Sequence, residues 1–185
     1  MTFYSVKRIV GESYPVLLVC VLIGLVAGVT LQNSLERIEG SLVLVMVPIL
    51  NGIGGNLSSI LGARIASALH MGTISSELRG KTLKENVKVS VLTGISIFLL
   101  SGLAIFAMAF WRGLSVYESA KNAAVFVLAS MLLLPVIISS TVLLALASFK
   151  RGLDPDNIVI PIVTSIVDVS ASACLLIISI NIVGV

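Results

Sequence analysis

Charged residues fall in tight clusters along this chain, and the stretches between the clusters are long and apolar. Glu12 and Glu36 bracket 23 uncharged residues, Glu39 and Arg64 bracket 24, Lys88 and Arg112 bracket 23, and Lys121 and Lys150 bracket 28. The 29 residues after Asp156 hold one charge, Asp168. A helix needs about 20 mostly apolar residues to cross a ~30 Å hydrocarbon core. The pattern therefore predicts five transmembrane helices, over roughly 13–33, 42–70, 87–111, 121–149 and 157–183. The expected fold class is all-α integral membrane, a single domain over 1–185 with no soluble sensor domain. Lys7 and Arg8 ahead of the first run would also suit a secretory signal. No small-residue cleavage pattern follows that run directly and four spans come after it, so it is read as a retained helix.

Composition narrows the function class. The chain is 57% hydrophobic and 11% charged, against about 25% charged in an average soluble domain. Aromatics are only 5%, so the apolar mass is aliphatic. A soluble enzyme, a nucleic-acid-binding domain and a disordered chain are excluded, and the expected partner is the lipid bilayer. The net charge of +3 reflects topology. Lys7, Arg8, Arg79, Lys81, Lys84, Lys88, Lys150 and Arg151 fall on one side, and Arg37, Arg112 and Lys121 on the other. Positive charge marks the cytoplasmic side, so the N-terminus is expected inside, the C-terminus outside, and the protein multi-pass in a cell membrane. Cys20 and Cys174 lie deep in apolar runs and read as small buried side chains. A single histidine, His70, cannot build a zinc or haem site alone.

Asp168 is the sharpest polar feature. It sits roughly 16 Å into the fifth span, near mid-membrane. A carboxylate there costs about 2.5–3.5 kcal/mol even on a lenient insertion scale, and intramembrane charge marks a pathway by default. Pro161, Ser165, Asp168 and Ser172 recur at helical spacing with Thr164 adjacent, giving that helix one small, polar face. A plain helix–helix contact would account for the hydroxyls but poorly for the Asp.

The second span carries Asn51-Gly52-Ile53-Gly54-Gly55-Asn56 just after Pro48. Three glycines in four residues are expected to break or loosen the helix, and non-helical backbone at that depth survives only in protein or along a cavity. Loosened carbonyls would then serve a cation, as in transporters with broken helices. Close packing through glycine is the competing reading. Asn56 and Asp168 both fall at the midpoints of their spans and are expected to meet at one depth. Arg64 lies roughly 12 Å further inward and would snorkel to headgroups or pair with a carboxylate such as Asp168. His70 reads as an interfacial residue. Asp154-Pro155-Asp156-Asn157 opens the fifth helix; these residues would cap it, draw cations to an inner mouth, or both. Gly24 and Gly28 would permit close packing of the first helix. Ser139, Ser140 and Thr141, after Pro135, would line a path or satisfy a kink.

A cation path is consistent with these features. Carboxylate, amide, hydroxyl and carbonyl oxygens favour magnesium or calcium over copper or zinc. Five helices are few for a transport path, so a homodimer is expected, with the path near its two-fold axis and two Asp168 carboxylates facing one divalent ion. Magnesium dehydrates reluctantly, so the ion would keep water.

Two stretches resemble the MgtE magnesium transporters and channels, and still more the membrane domains of the related solute carrier family forty-one. The first, V-P-I-L-N-G-I-G-G-N-L-S-S-I-L-G-A-R-I-A-S-A-L-H-M-G, runs from Val47 to Gly72; its P-x-L-x-G-x-x-G-N is followed by Leu57, Leu61, Arg64, Ala68 and Gly72. The second, D-P-D-N-I-V-I-P-I-V-T-S-I-V-D, runs from Asp154 to Asp168. The resemblance implies a homodimer of five-helix units with a pore between the second and fifth helices. It implies that Asp168 holds a hydrated magnesium ion, with Asn56 and the Gly54-Gly55 backbone nearby, and that the N-terminus is inside. Ser165 and Ser172, from the polar stripe of the fifth span, are counted with them as candidate metal-site residues. Asn51, Thr164, Asp154, Asp156 and Arg64 are secondary or pore-mouth candidates. The chain is expected to differ from bacterial members in having no cytoplasmic or CBS sensor domain, and from eukaryotic relatives in carrying one unit rather than two.

Magnesium transport is the leading expectation, with a sodium- or proton-coupled exchanger as its variant. An intramembrane aspartyl dyad is a remote enzyme reading; no HExxH, GxSxG or Ser/His pairing is present, and no enzyme is expected. A structural subunit would need only the helix-gluing role of the polar residues.

Overall fold

The computed structural model describes residues 6–34, 42–74 and 80–183. Five helices account for almost all of them: α1 (Val6–Asn33), α2 (Val43–His70), α3 (Lys81–Trp111), α4 (Val116–Lys150) and α5 (Pro155–Val183). All five are long and apolar enough to cross a membrane. Arg37 and Arg79, two residues of the charge-asymmetry argument, lie outside the described residues.

Four of the five helices begin earlier than the apolar runs do. α1 starts at Val6 rather than 13, α3 at Lys81 rather than 87, and α4 at Val116 rather than 121. Hydropathy finds only the part of a helix that lipid must solvate, whereas the backbone continues into the interface where polar side chains meet water. The start of α4 has its own signal: the Ser115 hydroxyl accepts from the Glu118 amide at 3.2 Å, the S-x-x-E capping arrangement. α2, α3 and α4 end alike, at Gly72, Gly113 and Gly152, each with positive φ. After α2, the Thr73 and Gly72 amides return to the Ala68 and Leu69 carbonyls, satisfying carbonyls that a helix end leaves orphaned.

α5 is the central element, packing against α4, α2 and α1. α4 also packs on α2 and α3. Phe98, Phe126, Met46, Leu50, Leu133 and Ile137 are fully buried between α2, α3 and α4. α1 is peripheral: Leu17, Leu18, Val21, Leu22, Leu25 and Val26 are all exposed, as befits a helix solvated by lipid on most sides. A Cβ on Gly24 or Gly28 would meet nothing within 4 Å, so this GxxxG makes no helix contact within the protomer.

The expected break at 51–56 is absent. α2 is helical without interruption from Val43 to His70. Each glycine costs up to about 1 kcal/mol of helix propensity, but in lipid an unpaired backbone amide costs more. Packing compensates, because the missing side chains admit neighbouring helices. A Cβ on Gly54 would lie 2.6 Å from Val167 Cγ1 and 3.3 Å from Ile137 Cδ1, and one on Gly55 3.4 Å from Thr164 Cγ2. The close-packing reading of these glycines is the one realised.

Candidate functional site

Glycine sets how α2 and α5 meet. Gly54 lies against Val167, Gly55 against Thr164 and Gly62 against Val159, so the two helices run antiparallel. Thr164 is therefore level with Gly55 and Asn56, and Asp168, one turn further along α5, is level with Asn51 and Gly52. This corrects the expectation that Asn56 and Asp168 share a depth. They are offset by about one turn, roughly 6 Å, because the contact is centred on Gly54 and Gly55 rather than on the helix midpoints.

The contact leaves one stripe of each helix uncovered. On α2, Pro48, Gly52 and Asn56 are exposed and Asn51, Gly55 and Ser59 are half-buried. On α5, Asn157, Pro161, Thr164 and Asp168 are half-buried and fall within an arc of roughly 60° at 100° per residue. The stripes adjoin where Gly55 meets Thr164, giving one continuous face of small and polar groups at membrane depth. A Cβ on Gly52 would meet nothing within 4 Å.

Two polar groups on or beside this face lack partners. The Asp168 carboxylate has no hydrogen bond or ion pair among the described residues. The Asn51 Oδ1, at the same level on α2, is buried and also without a partner. An unsatisfied buried acceptor costs about 1–3 kcal/mol. Several other candidates already make hydrogen bonds within their own helices. The Gly55 carbonyl accepts from the Ser58 and Ser59 hydroxyls at 2.7 and 2.8 Å, so it is not a loosened ligand. The Thr164 hydroxyl donates to the Ile160 and Pro161 carbonyls, both at 2.9 Å, which leaves its lone pairs free to accept. Ser165 and Ser172 are buried and donate to the Pro161 and Asp168 carbonyls at 3.0 and 2.9 Å. They are turned into the bundle, so the expected ligand stripe narrows to Thr164 and Asp168. Gly54 is likewise buried, beneath Val167. Ser139, Ser140 and Thr141 bond carbonyls of their own helix around Pro135.

The N-terminal end of α5 is a second polar cluster. The Asp154 Oδ1 accepts from the Asp156 amide at 3.1 Å; with Pro155 opening the helix, Asp154 is its N-cap. Glu12 of α1 accepts from Asn157 Nδ2 at 3.1 Å and from the Asp154 amide at 3.4 Å. His70 Nε2, at the end of α2, lies 3.7 Å from Asp154 Oδ1, and its ring meets Phe149 edge-on at 5.8 Å. α1 and α2 are thus tied to the start of α5, with α4 packed on His70 through Phe149. Glu12 was not singled out by sequence, although it is the one acid among the first 35 residues. Asp156 is exposed at this end. Arg64 is exposed and lines a groove of about 450 Å³ with Ser67, Met71, Thr82 and Asn86, between α2 and the start of α3. It makes no ion pair among the described residues, and the register puts it about 18 Å along the axis from Asp168, which rules out their pairing within one protomer. Among the described residues no group of three His, Cys, Asp or Glu side chains could hold a metal ion.

Comparison with known proteins agrees with this architecture. Solute carrier family 41 member 2 of Xenopus laevis is 25% identical over 183 residues, covering 92% of this chain and 33% of its own. The Mus musculus protein of the same name is 22% identical, covering 92% of this chain and 32% of its own. Solute carrier family 41 member 3 of Rattus norvegicus is 25% identical over 88% of this chain and 38% of its own. The chain thus spans about a third of the length of these curated relatives. No solved structure matches it. The sequence profile of MgtE, described as a divalent cation transporter, matches residues 47–178, which contain both the glycine-rich contact of α2 and the Asp168 stripe of α5. By that match, and with five helices of membrane-spanning length, this chain is a multi-pass membrane protein that belongs to the MgtE family of divalent cation transporters.

Proposed function

We propose that the protein carries a divalent cation, magnesium above others, along the open α2–α5 face, and that two copies bring these faces together about a two-fold axis. The observation that carries the reading is the partnerless Asp168 carboxylate on a face of small and polar residues in mid-membrane. Left against lipid, that face would expose Asp168, Asn56 and Thr164 to hydrocarbon at a cost of several kcal/mol. A second copy would cover it with an identical polar face and set two carboxylates around one path.

The chemistry favours a hydrated ion. One carboxylate per protomer is too few ligands to replace the water shell of magnesium, which the ion gives up reluctantly. Asp168 would accept hydrogen bonds from coordinated waters and supply the neutralising charge. Thr164 would accept from the same shell one turn away, and Asn51 and Asn56 would offer amide groups on the α2 side. Gly52 leaves room for a large hydrated ion. Asp154, Asp156 and Glu12 place negative charge at one end of the face, where it raises the local concentration of cations.

The test is magnesium flux into liposomes holding the purified protein, with Asp168→Asn at equal protein content. Flux in the parent and its loss in the variant support the reading. Equal flux in both removes Asp168 from the path. Absence of flux in the parent under voltage, sodium and proton gradients alike overturns transport by this chain alone. Flux driven by a sodium or proton gradient without voltage identifies an exchanger.

A further inference from the structure

A different surface, on the far side of α4 from Asp168, combines two features. α3 opens with Lys81, Lys84 and Lys88, all exposed and on one side of the helix. With Gly80 and Glu85 they line a concavity of about 530 Å³. Lys81 Nζ lies 3.9 Å from Glu85 Oε1, so among the described residues Lys84 and Lys88 hold the uncompensated charge. Next along α3 is an apolar groove of about 540 Å³ between α3 and α4, lined by Val91, Leu134, Pro135, Ile138, Ser139, Val142 and Leu143.

The two features are one surface. Lys84 precedes Val91 by seven residues, which leaves the side chains roughly 20° apart around the helix and about 10 Å apart along it. α3 and α4 are in close contact at Gly94, where a Cβ would lie 2.7 Å from Leu134 Cδ1. Counting outward from that contact along the antiparallel pair, Leu143 comes level with Glu85, between Lys84 and Lys88. The groove thus runs from the lysines down to Gly94, about 14 Å for the nine residues from Leu134 to Leu143. That is the depth of one leaflet of a ~30 Å core. α3 is 31 residues long, roughly 46 Å, so its first turns stand above the hydrocarbon at headgroup height. The one polar side chain in the groove, Ser139, donates to the Pro135 carbonyl at 2.7 Å and asks nothing of an occupant.

We propose that this surface binds an anionic phospholipid, its phosphate held by Lys84 and Lys88 and one acyl chain laid in the Val91–Ile138–Val142 groove. Charge complementarity selects the headgroup, and groove length selects a membrane lipid over a soluble anion. The site is separate from the α2–α5 face and does not depend on the transport reading.

The test is native mass spectrometry of the full chain released from nanodiscs containing equal phosphatidylglycerol and phosphatidylcholine. The expected result is preferential retention of phosphatidylglycerol. Lys84→Ala/Lys88→Ala should reduce that preference about twenty-five-fold, at roughly fivefold per basic residue at an anionic surface. Arg112→Ala, an exposed cation at the other end of α3, should leave it unchanged. Ile138→Trp, with its circular dichroism melt checked against the parent, should lose retained lipid of both kinds. Equal retention of the two lipids by the parent overturns the proposal. So does an unchanged preference in the double lysine variant, an equal loss in Arg112→Ala, or displacement of the lipid by glycerophosphoglycerol, the headgroup without chains, as effective as by the lipid itself.

Discussion

Gly54 and Val167 are in contact so close that a Cβ on the glycine would fall 2.6 Å from the valine Cγ1. Real Cβ atoms do not come this near, and on α2 the same added atom would also stand 3.3 Å from Ile137 Cδ1. Gly54→Ala should therefore destabilise the protein by about 1–3 kcal/mol, the usual cost of overpacking, read as a lowered melting temperature in a fixed detergent. Gly52→Ala, two residues away with open space around it, should melt with the parent. Val167→Ala in the Gly54→Ala background should restore part of the loss; no recovery would show that the contact is not what limits the site.

The bareness of Gly52 is itself testable. If its face meets a second copy, Gly52→Cys in a Cys20→Ser/Cys174→Ser background should form a disulfide-linked dimer in membranes under mild oxidation. Leu92→Cys, on an exposed part of α3, should remain monomeric on the same gel. A cross-link at position 92 and none at 52 would place the interface elsewhere.

Hydroxyl orientation separates groups on the open α2–α5 face from groups packed inside the bundle. Ser165→Ala and Ser172→Ala remove hydroxyls that are buried and bonded to their own helix, so magnesium flux should stay within about twofold of the parent. That corresponds to less than roughly 0.5 kcal/mol. Thr164→Val keeps the shape and removes an acceptor on the open face. Its flux should fall more than that of either serine variant, and the reverse order would redraw the path.

Glu12 ties α1 to the first turn of α5 through Asn157 Nδ2 and the Asp154 amide. Hydrogen bonds to a charged group contribute about 1.5–3 kcal/mol, so Glu12→Ala should lower the melting temperature. Glu12→Ala and Asn157→Ala together should cost less than the sum of the two, because they share one bond. Strict additivity in that cycle would mean the two side chains do not act together.

How much of this was legible without coordinates varies by feature. Five helices were legible because bilayer thickness writes itself into the spacing of charges, as the uncharged run between Lys121 and Lys150 shows. Asp168 was legible because a carboxylate in a 29-residue tail with no other charge has no ordinary use there. Asp154 was legible as a cap from its Asp-Pro sequence, and the structure realises that geometry. The glycines were legible as special but not in kind: breaking a helix and admitting a neighbour make the same demand, the absence of a Cβ. Ser165 and Ser172 lie only roughly 60° and 40° around the helix from Asp168, and no periodicity argument resolves which side of such an arc is covered.

The sequence by itself determined what the membrane demands: span number, approximate span limits, and the presence of a costly polar group in the last span. These follow from one-dimensional quantities, length and transfer free energy, that any neighbour leaves unchanged. Only the tertiary structure decided that α2 stays helical through three glycines, that Thr164 rather than Asp168 stands level with Asn56, and that Glu12 reaches the start of α5. Those facts depend on which helix lies against which and in what register. Register is set by close contacts, such as Gly54 on Val167, between residues more than a hundred positions apart.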